Sequence, residues 1–194
     1  MKVAGLFTII MVLTLAACGP HSKYPMVEIR TARGNIIVEL YADRAPKSVA
    51  AFLANADAGY YKNGSFYRIL NDDNQPSDAL KAELIQGGAY RSGNKLPKPP
   101  PIPHESTRQT GILHKTGVIS FARLEPGTAS SEFFICISDQ PGLDFGGENN
   151  PDGQGYAAFG KVIEGMDIIN NIYHSRENEQ SFDPPILISN IVRL

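Results

Sequence analysis

The most constraining feature of this 194-residue chain is one short run, Ser130-Ser131-Glu132-Phe133-Phe134-Ile135-Cys136-Ile137. Aromatic and β-branched residues bounded by turn-rich sequence predict a buried strand. Alternation sends Glu132, Phe134 and Cys136 to one face and Phe133, Ile135 and Ile137 to the other. Both faces are largely apolar, so each must meet protein or a ligand. A closed β-barrel with a groove on its outer wall satisfies that demand. Taken alone, such a strand is more often plain core without chemistry. The decision rests on the segments that accompany it.

The N-terminus carries an address rather than fold. Lys2 precedes a mostly apolar stretch, Val3 to Leu15, that is too short for a comfortable transmembrane helix. It ends in Leu15-Ala16-Ala17-Cys18, which resembles the lipobox of bacterial lipoproteins. The resemblance implies that residues 1–17 are a signal peptide and that Cys18 becomes an acylated first residue. Several acyl chains on one residue anchor stably, whereas one binds only marginally. Gly19, not Asp, follows Cys18. In a Gram-negative cell that implies sorting to the outer membrane, facing the periplasm. Residues 18–25 are then the lipidated Cys and a tether. The seven residues after Cys18 reach about 25 Å at full stretch.

Residues 26–194 are of a size for one domain with one core, expected to be a monomer. Lysine and arginine total 18 against 20 acidic residues, with no basic run, so nucleic acid is not an expected partner. With Cys18 lipidated, Cys136 has no disulfide partner and reads as a buried structural thiol. His21, His104, His114 and His174 are dispersed, and none stands at metal-ligand spacing from another. G-x-S-x-G, P-loop and H-E-x-x-H patterns are absent. No metal or cofactor is expected, and no pattern favours a hydrolase built from remote Ser and His.

Val27–Thr31 and Ile36–Tyr41 read as a hairpin across Ala32-Arg33-Gly34-Asn35. A helix follows, with Pro46 in its first turn and Val49, Phe52, Leu53 and Ala56 as its apolar stripe. Ser65–Leu70 is a strand, 71–78 a polar loop, and 79–84 a candidate helical turn before the bend at Gly87-Gly88. Lys95–Pro103 is polyproline-like and reads as a rigid surface loop. Gly117–Ala122, Tyr156–Val162 and Ile186–Leu194 are strands, and Gly165–Tyr173 is a second helix. Asp139–Gly155 is long for a compact domain, hence a functional rim or a mobile loop. Its acidic residues do not follow EF-hand spacing.

Three segments carry a resemblance. Phe66-Tyr67-Arg68-Ile69 leads to Ile85-Gln86-Gly87-Gly88. Ile119-Ser120-Phe121-Ala122-Arg123 leads to Phe133-Phe134-Ile135. Leu143-Asp144 leads to Phe159-Gly160-Lys161-Val162-Ile163-Glu164-Gly165-Met166. Together they resemble the cyclophilins, peptidyl-prolyl cis-trans isomerases, across residues 26–194. The resemblance implies a mainly β fold, a closed eight-stranded antiparallel barrel capped by two α-helices, with a peptide groove outside. It implies isomerisation of X-Pro bonds in proline-containing segments of unfolded or partly folded envelope proteins, without a cofactor.

Residue by residue, Arg68 matches the catalytic arginine. Phe134, Leu84 and Leu143 match the pocket for the proline ring, and Gln86 matches the glutamine that bonds substrate backbone. Ala122 and the Arg123 backbone match the wall that pairs with the peptide. Tyr67 and Tyr156 stand where many members have His, Glu132 where Gln is usual, and Arg123 where Asn is usual. Glu83 stands where a pocket Phe is common, and Gly142 where many eukaryotic members have Trp, which implies weak cyclosporin binding. Glu132 is placed to pair with Arg68. Such an acid, with Glu83, would favour an alternative: a catalytically weak module that only holds proline-containing segments. A structural envelope protein with no groove is the third class.

Overall fold

The structure, a computed structural model, describes residues 23–90 and 92–194. The expected signal peptide (1–17), Cys18 and the first part of the expected tether lie outside the described residues. Residues 23 and 24, expected in that tether, pack onto the domain. Lys23 Nζ and the Tyr24 hydroxyl each lie 3.0 Å from Asp43 Oδ2, and the Tyr24 ring packs edge-on against Tyr41.

In chain order the strands are β1 (Met26–Thr31), β2 (Gly34–Leu40), β3 (Gly64–Leu70), β4 (Leu84–Gly88), β5 (Val118–Phe121) and β6 (Phe133–Cys136). They are followed by β7 (Ala157–Glu164), β8 (Glu177–Asn178) and β9 (Ser181–Arg193). All pairings are antiparallel in the order β1-β2-β7-β5-β6-β4-β3-β9, and β1 pairs with β9 to close the barrel. The short β8 lies outside it and pairs only with β9. This is the expected eight-stranded barrel. Closure leaves no barrel strand as an open edge.

The two faces of β6 part as alternation requires. Phe133 and Ile135 are fully buried in the barrel core, whereas Phe134 and Cys136 join a separate apolar cluster on the outer wall. Burial pushes the Cys136 thiol pKa far up, in keeping with a structural role. One end of the core is an aromatic cluster. Phe52 meets Tyr61, Phe121, Phe133 and Phe159 at centroid distances of 5.0–6.1 Å.

Phe52 comes from α1 (Pro46–Asp57), which opens on the expected proline and packs across β7 and β9. Its N-terminus has no cap from the preceding Ala45. The buried Glu105 supplies it from afar, accepting from Ser48 N at 2.7 Å, Ser48 Oγ at 2.7 Å and Lys47 N at 3.2 Å. A carboxylate there satisfies orphan amides and sits at the positive end of the helix dipole. A single turn, α2 (Thr107–Thr110), follows Ser106, whose amide donates to Gln109 Oε1 at 3.0 Å. The last helix, α3 (Met166–Tyr173), buries Ile169 and Ile172 and packs on β2.

Two expectations change. Residues 80–83 form no helix and lead directly into β4. The Gln75 side chain takes both backbone groups of Ala82, with Nε2 donating to its carbonyl at 2.9 Å and Oε1 accepting from its amide at 3.1 Å. Those groups are therefore withdrawn from helical pairing. The final strand begins at Ser181 rather than Ile186. Pro184 and Pro185, which argue against strand in a sequence, are accommodated near its start, where pairing with β3 is irregular.

Candidate active site

One row of outward-facing residues crosses four strands. Arg68 on β3 is opposite Gln86 on β4, Gln86 is opposite Phe134 on β6, and Phe134 is opposite Ser120 on β5. Residues far apart in sequence thus become neighbours on one wall. Arg68, Gln86 and Phe134 line a groove of about 520 Å³ that runs from a polar end at Arg68 and Gln86 to an apolar end at Phe134, and Ser120 is buried beneath it.

The apolar end is a cluster of Ala82, Leu84, Phe134, Cys136 and Leu143, flanked by Leu70, Ala122 and Tyr156. The Tyr156 ring stands perpendicular to Phe134, with centroids 5.3 Å apart. Beneath Phe134 lies His114, nearly parallel to it at 5.8 Å. His114 Nδ1 is 2.7 Å from Asp144 Oδ1, and Nε2 is 3.0 Å from the Ser120 hydroxyl. This order of Asp, His and Ser superficially matches a hydrolytic triad. Ser120 is 0% exposed and His114 1%, so the hydroxyl cannot reach a substrate. The group fixes the groove floor, because Asp144 adjoins Leu143.

At the polar end, Arg68 Nε and Nη2 both donate to Gln180 Oε1, at 3.2 and 2.7 Å, and Nη1 donates to Gln86 Oε1 at 3.3 Å. Gln86 Nε2 in turn donates to the Tyr67 hydroxyl at 2.7 Å. Tyr67 therefore sits behind Gln86 and does not line the groove. Burial, reinforced by the neighbouring Glu132 carboxylate, pushes the Tyr67 phenol far up.

Glu132 lines the groove but does not pair with Arg68, contrary to expectation. Its Oε1 accepts from Ala89 N at 3.0 Å, Tyr90 N at 3.1 Å and Ser131 Oγ at 2.9 Å. The carboxylate pins the chain leaving β4 instead. Its other oxygen is buried with no hydrogen-bond partner of good geometry. Burial raises the Glu132 pKa against the opposing effect of its donors. Gly88, at φ +151°, makes room for it, since a Cβ there would stand 2.5 Å from Glu132 Oε2.

Glu83, unlike Glu132, is absent from the groove. Its carboxylate accepts from Ser138 Oγ at 2.5 Å and Tyr173 Oη at 3.2 Å, while Ala82 and Leu84 on either side face the pocket. Alternation explains the difference, because neighbouring residues in extended chain point to opposite faces. Neither acid neutralises Arg68, so the alternative of a disabled binding module loses the two residues that favoured it.

Arg123 holds the long rim in place. Its side chain is 1% exposed and forms a bidentate pair with Asp152, at 2.6 and 2.9 Å. Nε also donates to Gly155 O at 2.9 Å, and the guanidinium lies over the Tyr156 ring. The 139–155 segment is consequently a rim that brings Leu143 into the groove. A side chain at Gly142 would displace that of Asn149, since a Cβ would come within 1.6 Å of its Oδ1. Asn149 Nδ2 reaches across to the Leu80 carbonyl at 2.6 Å, joining the rim to the polar insert.

Nine of the ten residues expected from sequence thus line one groove, Tyr67 supporting it from behind. Sequence reasoning missed His114, Gln180 and the insert residues Gln75, Leu80 and Ala82. The short motifs give no sign of any of them, because each arrives from a loop. No group of His, Cys, Asp and Glu suited to a metal occurs among the described residues.

Comparison with known proteins agrees with this geometry. The family model for cyclophilin type peptidyl-prolyl cis-trans isomerases matches residues 26–193. Peptidyl-prolyl cis-trans isomerase B of Escherichia coli is 32% identical over 148 residues, covering 76% of this chain and 83% of that one. Peptidyl-prolyl cis-trans isomerase A of Dickeya dadantii is 32% identical over 172 residues, covering 86% and 82%. A Cryptosporidium parvum cyclophilin type isomerase superposes with a TM-score of 0.63 at 27% identity, over 88% of this chain and 98% of its own. That protein has also been crystallised in the presence of the dipeptide Ala-Pro, with a TM-score of 0.61 to this chain. The chain belongs to the cyclophilin-type peptidyl-prolyl cis-trans isomerase family.

Proposed function

We propose that this chain catalyses cis-trans exchange of X-Pro bonds in the groove between Arg68 and Phe134, acting on segments of exported envelope proteins as they fold. The observation that carries the reading is the arrangement of Arg68. Its guanidinium is held at the groove by two neutral carbonyl oxygens, with no acidic side chain paired to it among the described residues.

The chemistry follows from the amide. Rotation about X-Pro must overcome about 18–20 kcal/mol of lost resonance. Uncatalysed exchange takes tens to hundreds of seconds. As the bond twists, the proline nitrogen becomes pyramidal and gains a lone pair that can accept a hydrogen bond. A charged donor beside that nitrogen favours the twisted state over both planar ones. Each tenfold in rate needs about 1.4 kcal/mol of such preference. Phe134, Leu84 and Leu143 hold the ring while Gln86 and the Ala122–Arg123 backbone hold the flanking chain. No covalent bond forms and no proton is transferred.

Arg68→Ala should reduce exchange of a short X-Pro peptide by two or more decades, read by exchange spectroscopy on protein starting after Cys18. Equal rates in the two proteins would overturn the assignment of Arg68. Peptide binding without exchange enhancement by the unmodified groove would make the protein a holding module.

The placement in the envelope rests on Leu15-Ala16-Ala17-Cys18. Acylation of Cys18 would hold a monomeric domain close to lipid, facing the periplasm from the outer membrane. Metabolic labelling with a fatty acid tests this. Label and membrane fractionation should both be lost in Cys18→Ser, and an unlabelled cytosolic protein would refute the anchor.

A further inference from the structure

We infer that Gln180 is a positioning residue for Arg68, setting the direction of the guanidinium while leaving its charge unspent. The inference rests on the reading of Arg68 as the donor to the twisted amide.

Gln180 lies in the turn between β8 and β9, 112 positions from Arg68, and no motif of the groove includes it. Its Oε1 accepts from Nε and Nη2, which form one edge of the guanidinium. Gln86 takes Nη1 from the other side at 3.3 Å. A planar fork held on two sides has lost its main freedom, rotation about the bonds of its stem. The unused N–H groups of Nη1 and Nη2 are then the ones left for the groove.

The chemical identity of the acceptor matters. A carboxylate at position 180 would hold the same edge more tightly. It would also neutralise the charge that attracts the proline lone pair. An amide oxygen orients without neutralising. The other end of the same amide is committed as well, because Gln180 Nε2 donates to Asn74 O at 3.2 Å. Asn74 Nδ2 donates to Ile69 O at 3.2 Å, and the adjacent Gln75 holds Ala82 at the apolar end of the groove. Gln180 therefore fixes Arg68 against the insert that forms the pocket wall, and the amide cannot turn over without breaking both contacts.

The test compares unmodified protein with Arg68→Ala, Gln180→Met and Gln180→Glu, using exchange spectroscopy on an X-Pro peptide and nitrogen-15 spectra of the Arg68 Nε–H group. Gln180→Met keeps the length of the side chain and removes its acceptor. It should lower kcat about tenfold, the loss of roughly one hydrogen bond's preference for the twisted state. KM should stay within about twofold, and the Arg68 Nε–H signal should move and exchange faster with solvent. Gln180→Glu should keep that signal protected and still lose kcat, separating orientation from charge. Should Gln180→Met not fold, Gln180→Glu carries the test alone: it keeps the acceptor for Arg68 and gives up the donor to Asn74 O. Lost kcat with a protected Arg68 signal then supports the inference, whereas full kcat, or a loss accompanied by a freed Arg68 signal, overturns it. Unchanged kcat and an unmoved Arg68 signal in a folded variant would overturn the inference. Full activity in Arg68→Ala would instead remove the reading beneath it.

Discussion

His114 lies flat beneath Phe134, 5.8 Å between ring centres and 18° from parallel, with one nitrogen on Asp144 and the other on Ser120. On the proposed reading Phe134 receives the proline ring and needs a floor that does not yield, and His114 is fastened at both edges. His114→Ala would remove the ring and strand two partners in a buried site. Stability should fall by about 2–4 kcal/mol, combining cavity and unpaired polar groups. The surviving folded protein should bind an X-Pro peptide more weakly. Urea unfolding with peptide titration checks both. Unaltered affinity would mean that Phe134 keeps its place without His114.

Phe133 and Phe134 are adjacent yet face different worlds, so their alanine variants should fail differently. Phe133 meets Phe52, Tyr61 and Phe66 inside the barrel. Phe133→Ala should cost about 3–5 kcal/mol of stability while the fraction that remains folded keeps its turnover. Phe134→Ala should cost less and lose most peptide binding. Thermal unfolding beside exchange spectroscopy reads the pair. Similar stability losses with similar activity would show that the outer cluster is part of the core.

That division was legible in the sequence because alternation along a strand is a strict rule, and because both faces of residues 133–137 are apolar. Strands and helices follow from local patterns, whereas the eight-stranded closure and the choice of Arg68, Gln86 and Phe134 follow from the family resemblance that the short motifs carry. The unforeseen parts share a different cause. Gln180 and His114 act through side-chain contacts made by loops, and a loop's path is set by tertiary pairing. The Gln75 amide that straightens Ala82 is such a pairing, as is the Glu105 cap on a helix 57 residues away. The two acids differ from expectation in different ways. Glu83 faces away from the groove, toward Ser138 and Tyr173, whereas Glu132 is on the expected face but bonds Ala89, Tyr90 and Ser131 instead of Arg68. A signal was present for one small element. Ser106-Thr107-Arg108-Gln109 has the S-x-x-Q spacing of a helix start, and α2 begins there.

Glu132 should make stability depend on pH in an unusual sense. Its pKa is raised above the ordinary 4.5, chiefly by burial. The folded state therefore holds its proton where the unfolded chain has released it. Stability from this group is present below the unfolded value and is lost as pH rises from there through the folded pKa. Glu132→Gln keeps an oxygen for Ala89 N and Tyr90 N and removes the buried charge. The variant should match or trail the parent near pH 4 and exceed it at pH 7–8. Chemical unfolding across that range tests the sign. A variant less stable at pH 8 than at pH 4, relative to the parent, would show that the ionised acid is needed.

Asp152 should behave in the opposite way, and its effect should be felt in the groove. The hydrogen bond from Arg123 is the main cause that holds its carboxyl below the ordinary 3.8. Stability from the pair is present above the unfolded value and is lost as pH falls through the depressed folded one. Asp152→Asn removes the charge but keeps one acceptor oxygen, leaving the buried Arg123 to the carbonyls of Gly155 and Leu124. The rim it fastens includes Tyr156, whose amide donates to Leu143 O at 3.0 Å. Loosening the rim should spread the positions of Leu143 and Tyr156 and weaken capture of the proline ring. KM should rise several-fold while kcat changes little, because Arg68 and its two glutamines lie at the other end of the groove. The stability difference from the parent should shrink toward pH 3. A fall in kcat at constant KM would mean that Arg123 and Asp152 act on the twisted state itself, not on the walls that receive the ring.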